Sequence, residues 1–153
     1  MDVYAVAFFG HRQVYEHGRI LQQLEAVIME LLQKKEYVEF LVGRNGDFDQ
    51  LVSSAVLRTQ RHYRKDNSSL TLILPYLTAE YANNRESYED YYDQIEISDE
   101  ASCAHPKAAI QIRNRKMVDR ADLIVCYIKH HNGGAYQTVQ YAKRQGKVVL
   151  NLA

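Results

Sequence analysis

A chain of 153 residues, 46% apolar and 25% charged, has the size and composition of one globular domain that can bury a core without disulfides or metals. Nineteen Lys and Arg balance nineteen Asp and Glu, so no global field gathers nucleic acid or an anionic membrane, and any bound anion must be held by local geometry. The opening MDVYAVAFFGHR lacks the basic start and longer apolar run of a secretory signal, and no stretch approaches eighteen apolar residues, which predicts a cytoplasmic protein with no membrane partner.

Val3 to Phe9 is an apolar run that stops at Gly10, apolar on both faces as a central parallel strand requires. From Glu16 to Lys35, Ile20, Leu21, Leu24, Val27, Ile28, Leu31 and Leu32 recur at intervals of three and four, which gives one buried stripe on a helix. Phe40 to Val42 reads as a brief strand stopped by Gly43, and Asp49 to Tyr63 as a second amphipathic helix. Leu70 to Leu74 is a third strand closed by Pro75. Tyr76 to Asp93 mixes tyrosines 76, 81, 88, 91 and 92 with acids in no clean period, leaving helix and loop both open.

Ile95 to Ile97 has the makings of a short strand, and Pro106 to Ala121 reads as a helix with proline in its first turn, where the missing amide proton costs nothing. Leu123 to Ile128 is the most apolar strand, and its Cys126 behaves as a small core hydrophobe, so a disulfide with Cys103 is not expected. After Gly133-Gly134, Ala135 to Arg144 forms a helix ended by Gly146, and Val148 to Leu152 is the last strand. Strands alternating with helices predict a single Rossmann-like α/β domain over residues 1–153, a mainly parallel sheet with helices on both faces. Ligands of such sheets bind outside the carboxyl ends of the strands.

The turns at those ends are Gly10-His11-Arg12, Gly43-Arg44-Asn45-Gly46-Asp47, Pro75-Tyr76 and Lys129 to Gly134. The diglycine before a helix lets backbone amides and the helix dipole face an anion, with Thr138 adding a hydroxyl one turn in; a tight turn with no ligand explains the pair equally well. Arg12, Arg44, Arg113 and Arg115 are candidate phosphate forks, although any one of them also suits a solvated surface. Asp47 and Asp49 begin a helix, where one carboxylate caps amides and the other is free for a ribose hydroxyl or catalysis. His130-His131, His105 and Cys103 match no zinc spacing, so no metal is expected. The tyrosines of 76–93 could stack on a base, but packing within the domain or against a second copy accounts for them as well, and packing is the reading we favour.

The opening AFFGHR, the turn VGRNGDFDQLVSSAV, the run RNRKMVDRADLIVCYI and the ending NGGAYQTVQYAKRQGKVVLNL, in this order, resemble the SMF/DprA-LOG (SLOG) superfamily of Rossmann-like proteins, and within it the small bacterial YpsA/YspA type. The resemblance covers most of the chain and is thinnest from about residue 76 to 104. It implies a nucleotide-related ligand at the strand ends, with Gly10, Arg12, Gly43, Asp49, Asn114, Arg115, Gly133, Gly134 and Thr138 at matching positions. LOG-type members release the base from nucleoside 5′-monophosphates with an arginine, matched here by Arg115, and a glutamate after the diglycine. That glutamate is absent: its position is Gln140 or Tyr141, no Asp or Glu occurs from Gly133 to Ala153, and a second family acid falls at Ser54. N-glycosidic cleavage needs a carboxylate to stabilise the sugar cation or activate water.

The leading expectation is therefore a cofactor-free module that binds or senses a nucleotide-like small molecule through Gly10, His11, Arg12, Gly43, Arg44, Asp49, Arg113, Asn114, Arg115, Gly133, Gly134 and Thr138. One alternative is a LOG-like phosphoribohydrolase in which Arg115 acts with Asp47 or Asp49 as substitute acid. Another is a DprA-like single-stranded DNA binder, against which the neutral net charge counts. A homo-oligomer stays open.

Overall fold

The computed structural model describes all of residues 1–153. In chain order the elements are β1 (Val3–Gly10), α1 (His17–Lys34), β2 (Tyr37–Val42), α2 (Asp47–His62), β3 (Ser68–Leu74), α3 (Ala79–Asn83), α4 (Arg85–Tyr91), β4 (Gln94–Ile97), α5 (Asp99–Ser102), α6 (Pro106–Arg120), β5 (Leu123–Tyr127), α7 (Gly134–Arg144) and β6 (Val148–Asn151). The strands form one sheet in the order β4-β3-β2-β1-β5-β6, and every neighbouring pair is parallel. The expected Rossmann-like α/β fold is present, with a sheet that is wholly rather than mainly parallel.

Strand residues alternate between two cores. Val6, Phe8, Phe40, Leu70 and Leu72 pack with Leu24 and Ile28 of α1 and Phe48 and Val52 of α2. Ala5, Ala7, Phe9, Leu41 and Ile73 pack on the other face with Met117 and Val118 of α6 and Val139 and Ala142 of α7. Each fully buried side chain of this size stabilises the fold by about 1.5–3 kcal/mol, so the helical stripes and strand runs legible in the sequence supply the cohesion of both layers. No helix is long and apolar enough to cross a membrane.

Three local readings change. β2 begins at Tyr37, earlier than its apolar run, because Glu39 sits within it and is neutralised by Arg120 of α6, whose Nη2 lies 2.7 Å from the carboxylate. The Tyr-rich stretch forms two short helices, α3 and α4, with Tyr81, Tyr88 and Tyr92 in the core around β3 and α2. α5 is an additional turn of helix, started by the Ser98 hydroxyl, which accepts from the Ala101 amide at 3.3 Å.

The connection from β4 to β5 carries the chain across the sheet, so strand order reverses between β1 and β5. The crevice outside the carboxyl ends of those two strands is the place where such a sheet takes ligands.

Candidate functional site

At that crevice lies a cavity of about 280 Å³, near the lower end of the range for small-molecule sites. Its walls come from the ends of β1 and β2, the start of α2, the buried face of α6 and the diglycine turn.

Gly10 ends β1 beneath α2. A Cβ there would lie 2.4 Å from Phe48 Cγ, so the close approach of α2 requires glycine. His11 turns away from the strand, and its Nε2 accepts from the backbone amides of Lys129 at 2.9 Å and His130 at 3.0 Å. An atom that accepts twice carries no proton, so the ring is the neutral Nδ1–H tautomer. Burial, and then His130, whose ring centroid is 5.1 Å away, hold its pKa below the usual imidazole value. His11 thereby ties the β1 loop to the turn that carries the glycines. Arg12 lines the cavity, is exposed and pairs with no carboxylate.

Gly133, at φ +92°, adopts a backbone conformation that side chains rarely tolerate and sets the entry to α7. No side chain caps that helix. The Gln137 amide finds the Gly133 carbonyl at 3.1 Å, whereas the amides of Gly134, Ala135 and Tyr136 have no partner outside the regular helical bonds. These are the groups a helix N-terminus offers to an anion.

The floor is Arg113, only 1% exposed. Its Nη1 donates to the Ile73 carbonyl at 2.7 Å and its Nε to Asn114 Oδ1 at 2.9 Å. Nη2 donates to the side-chain oxygen of Asn45 at 2.7 Å, with the Asn45 amide turned to present that oxygen. Asn114 Nδ2 donates to Thr138 Oγ1 at 3.1 Å, and that hydroxyl donates to the Gly134 carbonyl at 2.9 Å. A continuous polar chain therefore runs from the end of β2, through α6, to the diglycine. Gly43 leaves room for the guanidinium, since a Cβ would stand 3.2 Å from Nη1.

Asp49 faces the same space and accepts from the Asn45 amide at 2.8 Å. Burial pushes its carboxyl above the usual value, opposed by that amide and by the Arg113 charge. Burial likewise lowers the pKa of Arg113, opposed by Asp49. The Asn45 amide first and the Arg113 charge second thus offset the burial of Asp49, and Asp49 in turn offsets part of the burial of Arg113.

The cavity brings together Gly10, His11, Arg12, Gly43, Asp49, Arg113, Asn114, Gly133 and Gly134. It does not include Thr138, which lies buried behind Asn114, or Asp47, whose carboxylate accepts from the Val14 amide at 3.1 Å and faces His17. Arg44 turns towards Glu80 and Tyr92. Arg115 is exposed on α6, over the Tyr141 ring at 5.2 Å. Two residues along a helix is about 200° of rotation, so Arg113 and Arg115 cannot both face the crevice. Asn45, Met117 and Ala135 also line it. Of these, Met117 was detectable, because it shares a stripe of period four with Ala109 and Arg113.

No protein-family model matches the chain, and no curated protein matches it. Among solved structures, DNA processing protein A (DprA) from Streptococcus pneumoniae superposes with a TM-score of 0.69 at 18% identity, covering 97% of this chain and 50% of that one. DNA processing protein A from Helicobacter pylori, which has a single-stranded DNA binding mode, gives 0.66 at 16% identity over 97% of this chain and 64% of that one. The chain spans less than two thirds of either protein. The expectation that neutral net charge counts against a nucleic-acid partner is corrected by the second of these, since a protein of this fold binds single-stranded DNA. The physical reason is that a strand meets local charge rather than a sum, so a net charge of zero does not decide the partner. The fold is one that the chain shares with these DprA structures.

Proposed function

We propose that the chain is a nucleotide-binding module that holds a phosphate of its ligand, a nucleotide free or within single-stranded DNA, at the diglycine turn. The observation that carries this reading is the uncapped start of α7, whose unpartnered amides border the same cavity as the unpaired Arg12. Arg113 is the weaker candidate for this role, because each of its three guanidinium nitrogens already donates to the protein; it positions Asn114 and Asn45, while Arg12 is the cation with no such ties. The single-stranded DNA binding of a fold neighbour supports the nucleic-acid form of the ligand. Calorimetry with AMP and with a 5′-phosphorylated six-residue single strand tests it. The parent should bind, and Gly134→Asp, which sets a carboxylate among the amides, should lower affinity by about tenfold or more, or about 1.4 kcal/mol. Equal binding by the variant sends the phosphate elsewhere.

A second reading, a LOG-like hydrolase, draws on one specific feature: Asp49 stands in the cavity with its pKa raised, as a general acid requires. Prolonged incubation with AMP should then release adenine from the parent and not from Asp49→Asn. No adenine from either leaves binding as the sole activity.

A further inference from the structure

We propose that the cleft bounded by Arg44, Glu80, Tyr88, Tyr91 and Tyr92 is a second ligand subsite, which takes a nucleobase of the ligand whose phosphate lies at the diglycine turn. The pairing of the two subsites on one ligand rests on the phosphate reading above; the affinity of the cleft for a flat ring does not.

The cleft has a volume of about 500 Å³ and lies between α2 and the two short helices α3 and α4. Its aromatic groups are not all consumed by packing. Tyr88 and Tyr92 are buried, but Tyr91 stands 40% exposed at the rim, edge-on to Tyr92 with ring centroids 4.8 Å apart. Arg44 is fixed on three sides. Its guanidinium lies over the Tyr88 ring at 4.7 Å, Nη1 donates to the Tyr92 hydroxyl at 3.0 Å, and Nε and Nη2 donate to one oxygen of Glu80 at 3.3 and 3.2 Å.

That arrangement decides the class of ligand. A guanidinium already matched by a carboxylate is a poor phosphate fork, because an incoming phosphate would have to displace Glu80 or meet its charge. What remains on offer is planar surface from arginine and tyrosine, with a carboxylate acceptor and the hydroxyl of Ser87 at the edge. An uncharged flat ring carrying amino and carbonyl groups suits such a surface, as bases stack on aromatic and guanidinium planes in single-strand binders.

The position of the cleft couples it to the first cavity. Gly43 and Asn45 line the phosphate cavity, and Arg44 between them lines this one, so a single residue of main chain, about 3.8 Å from Cα to Cα, separates the two walls.

Saturation-transfer NMR with adenosine, which has no phosphate, tests the cleft by itself, and calorimetry with a 5′-phosphorylated six-residue dA strand tests the coupling. In the parent and in Gly134→Asp, adenosine ring protons should receive saturation; in Tyr91→Ala they should lose it, and Tyr91→Phe should restore it. Strand affinity should fall about fivefold or more in Tyr91→Ala. Because Tyr91 is at the rim, the variant should keep the parent's melting temperature. Absence of saturation transfer in the parent, or transfer and strand affinity unchanged in Tyr91→Ala, overturns the subsite. If adenosine contacts survive while Gly134→Asp leaves strand affinity untouched, the cleft stands as a base site and the phosphate reading fails instead.

Discussion

Replacing Arg113 by methionine removes a charge from a place where water cannot compensate. The side chain is 1% exposed, and its loss strands the Ile73 carbonyl and the oxygens of Asn114 and Asn45 while leaving Asp49 without its balancing cation. A buried acceptor left without a donor costs about 1–3 kcal/mol, whereas Asp49 makes no ion pair with Arg113 and lines the cavity, where solvent screens the lost charge. Reorientation of the exposed Asn45 recovers part of the loss, and the two stranded interior acceptors, Ile73 and Asn114, at about 2 kcal/mol each, give about 4 kcal/mol for Arg113→Met. At about 2–4 °C per kcal/mol for a domain near this size, the melting temperature should drop by about 8–16 °C. Arg115→Met, on the solvent face of the same helix, should stay within about 0.5 kcal/mol of the parent. Urea unfolding followed by circular dichroism gives both values, and Asp49→Asn in a double-mutant cycle isolates the pair: the double variant should be less destabilised than the sum of the singles. Equal losses for Arg113→Met and Arg115→Met, or strict additivity with Asp49→Asn, would refute the polar chain described for the cavity floor.

His11 makes the diglycine turn sensitive to pH. Its folded pKa is depressed, so the unfolded chain binds the extra proton more readily; its contribution is fully present above the unfolded value near 6.5 and is lost as pH falls through that value towards the folded one. The protection factors of the Lys129 and His130 amides, normalised to the intrinsic exchange rate at each pH, should fall as pH drops through that window in the parent, whereas in His11→Phe they should be low and show no such pH dependence. Gly10→Ala should lower stability by about 1–3 kcal/mol through the clash with Phe48, and Gly10→Ala combined with Phe48→Leu should recover part of it in thermal melts.

Much of the fold is readable from periodicity, because parallel strands buried on both faces are written as near-continuous apolar runs: β1 and β5 are, and β3 is from Leu70 to Leu74 apart from the buried Thr71. β2 is only half legible, since Glu39 breaks the run and the arginine that neutralises it comes from α6, far along the chain. The Tyr-rich stretch hides its helices for a different reason. Asn84 separates α3 from α4, so no stripe lasts long enough to show a period, and Tyr81, Tyr88 and Tyr92 are recognisable as core only once both helices fold onto β3. At the site, glycines and helix starts point to the crevice, yet a motif match does not separate Arg113 from Arg115. The helical stripe does: Ala109, Arg113 and Met117 fall at intervals of four on the buried face. Arg44 illustrates what no linear pattern carries, because its direction is settled by Glu80 and Tyr92, partners from another segment.

The central claim is that the first amides of α7 hold a phosphate, and amide chemical shifts report on those groups individually. In a ¹⁵N-labelled sample titrated with AMP, and separately with adenosine, the account predicts that the Gly134, Ala135 and Tyr136 amides move with AMP alone, together with Lys129 and His130 through the His11 clasp. Unmoved amides at 134–136 under saturating AMP, or shifts of the same size with adenosine, would contradict it.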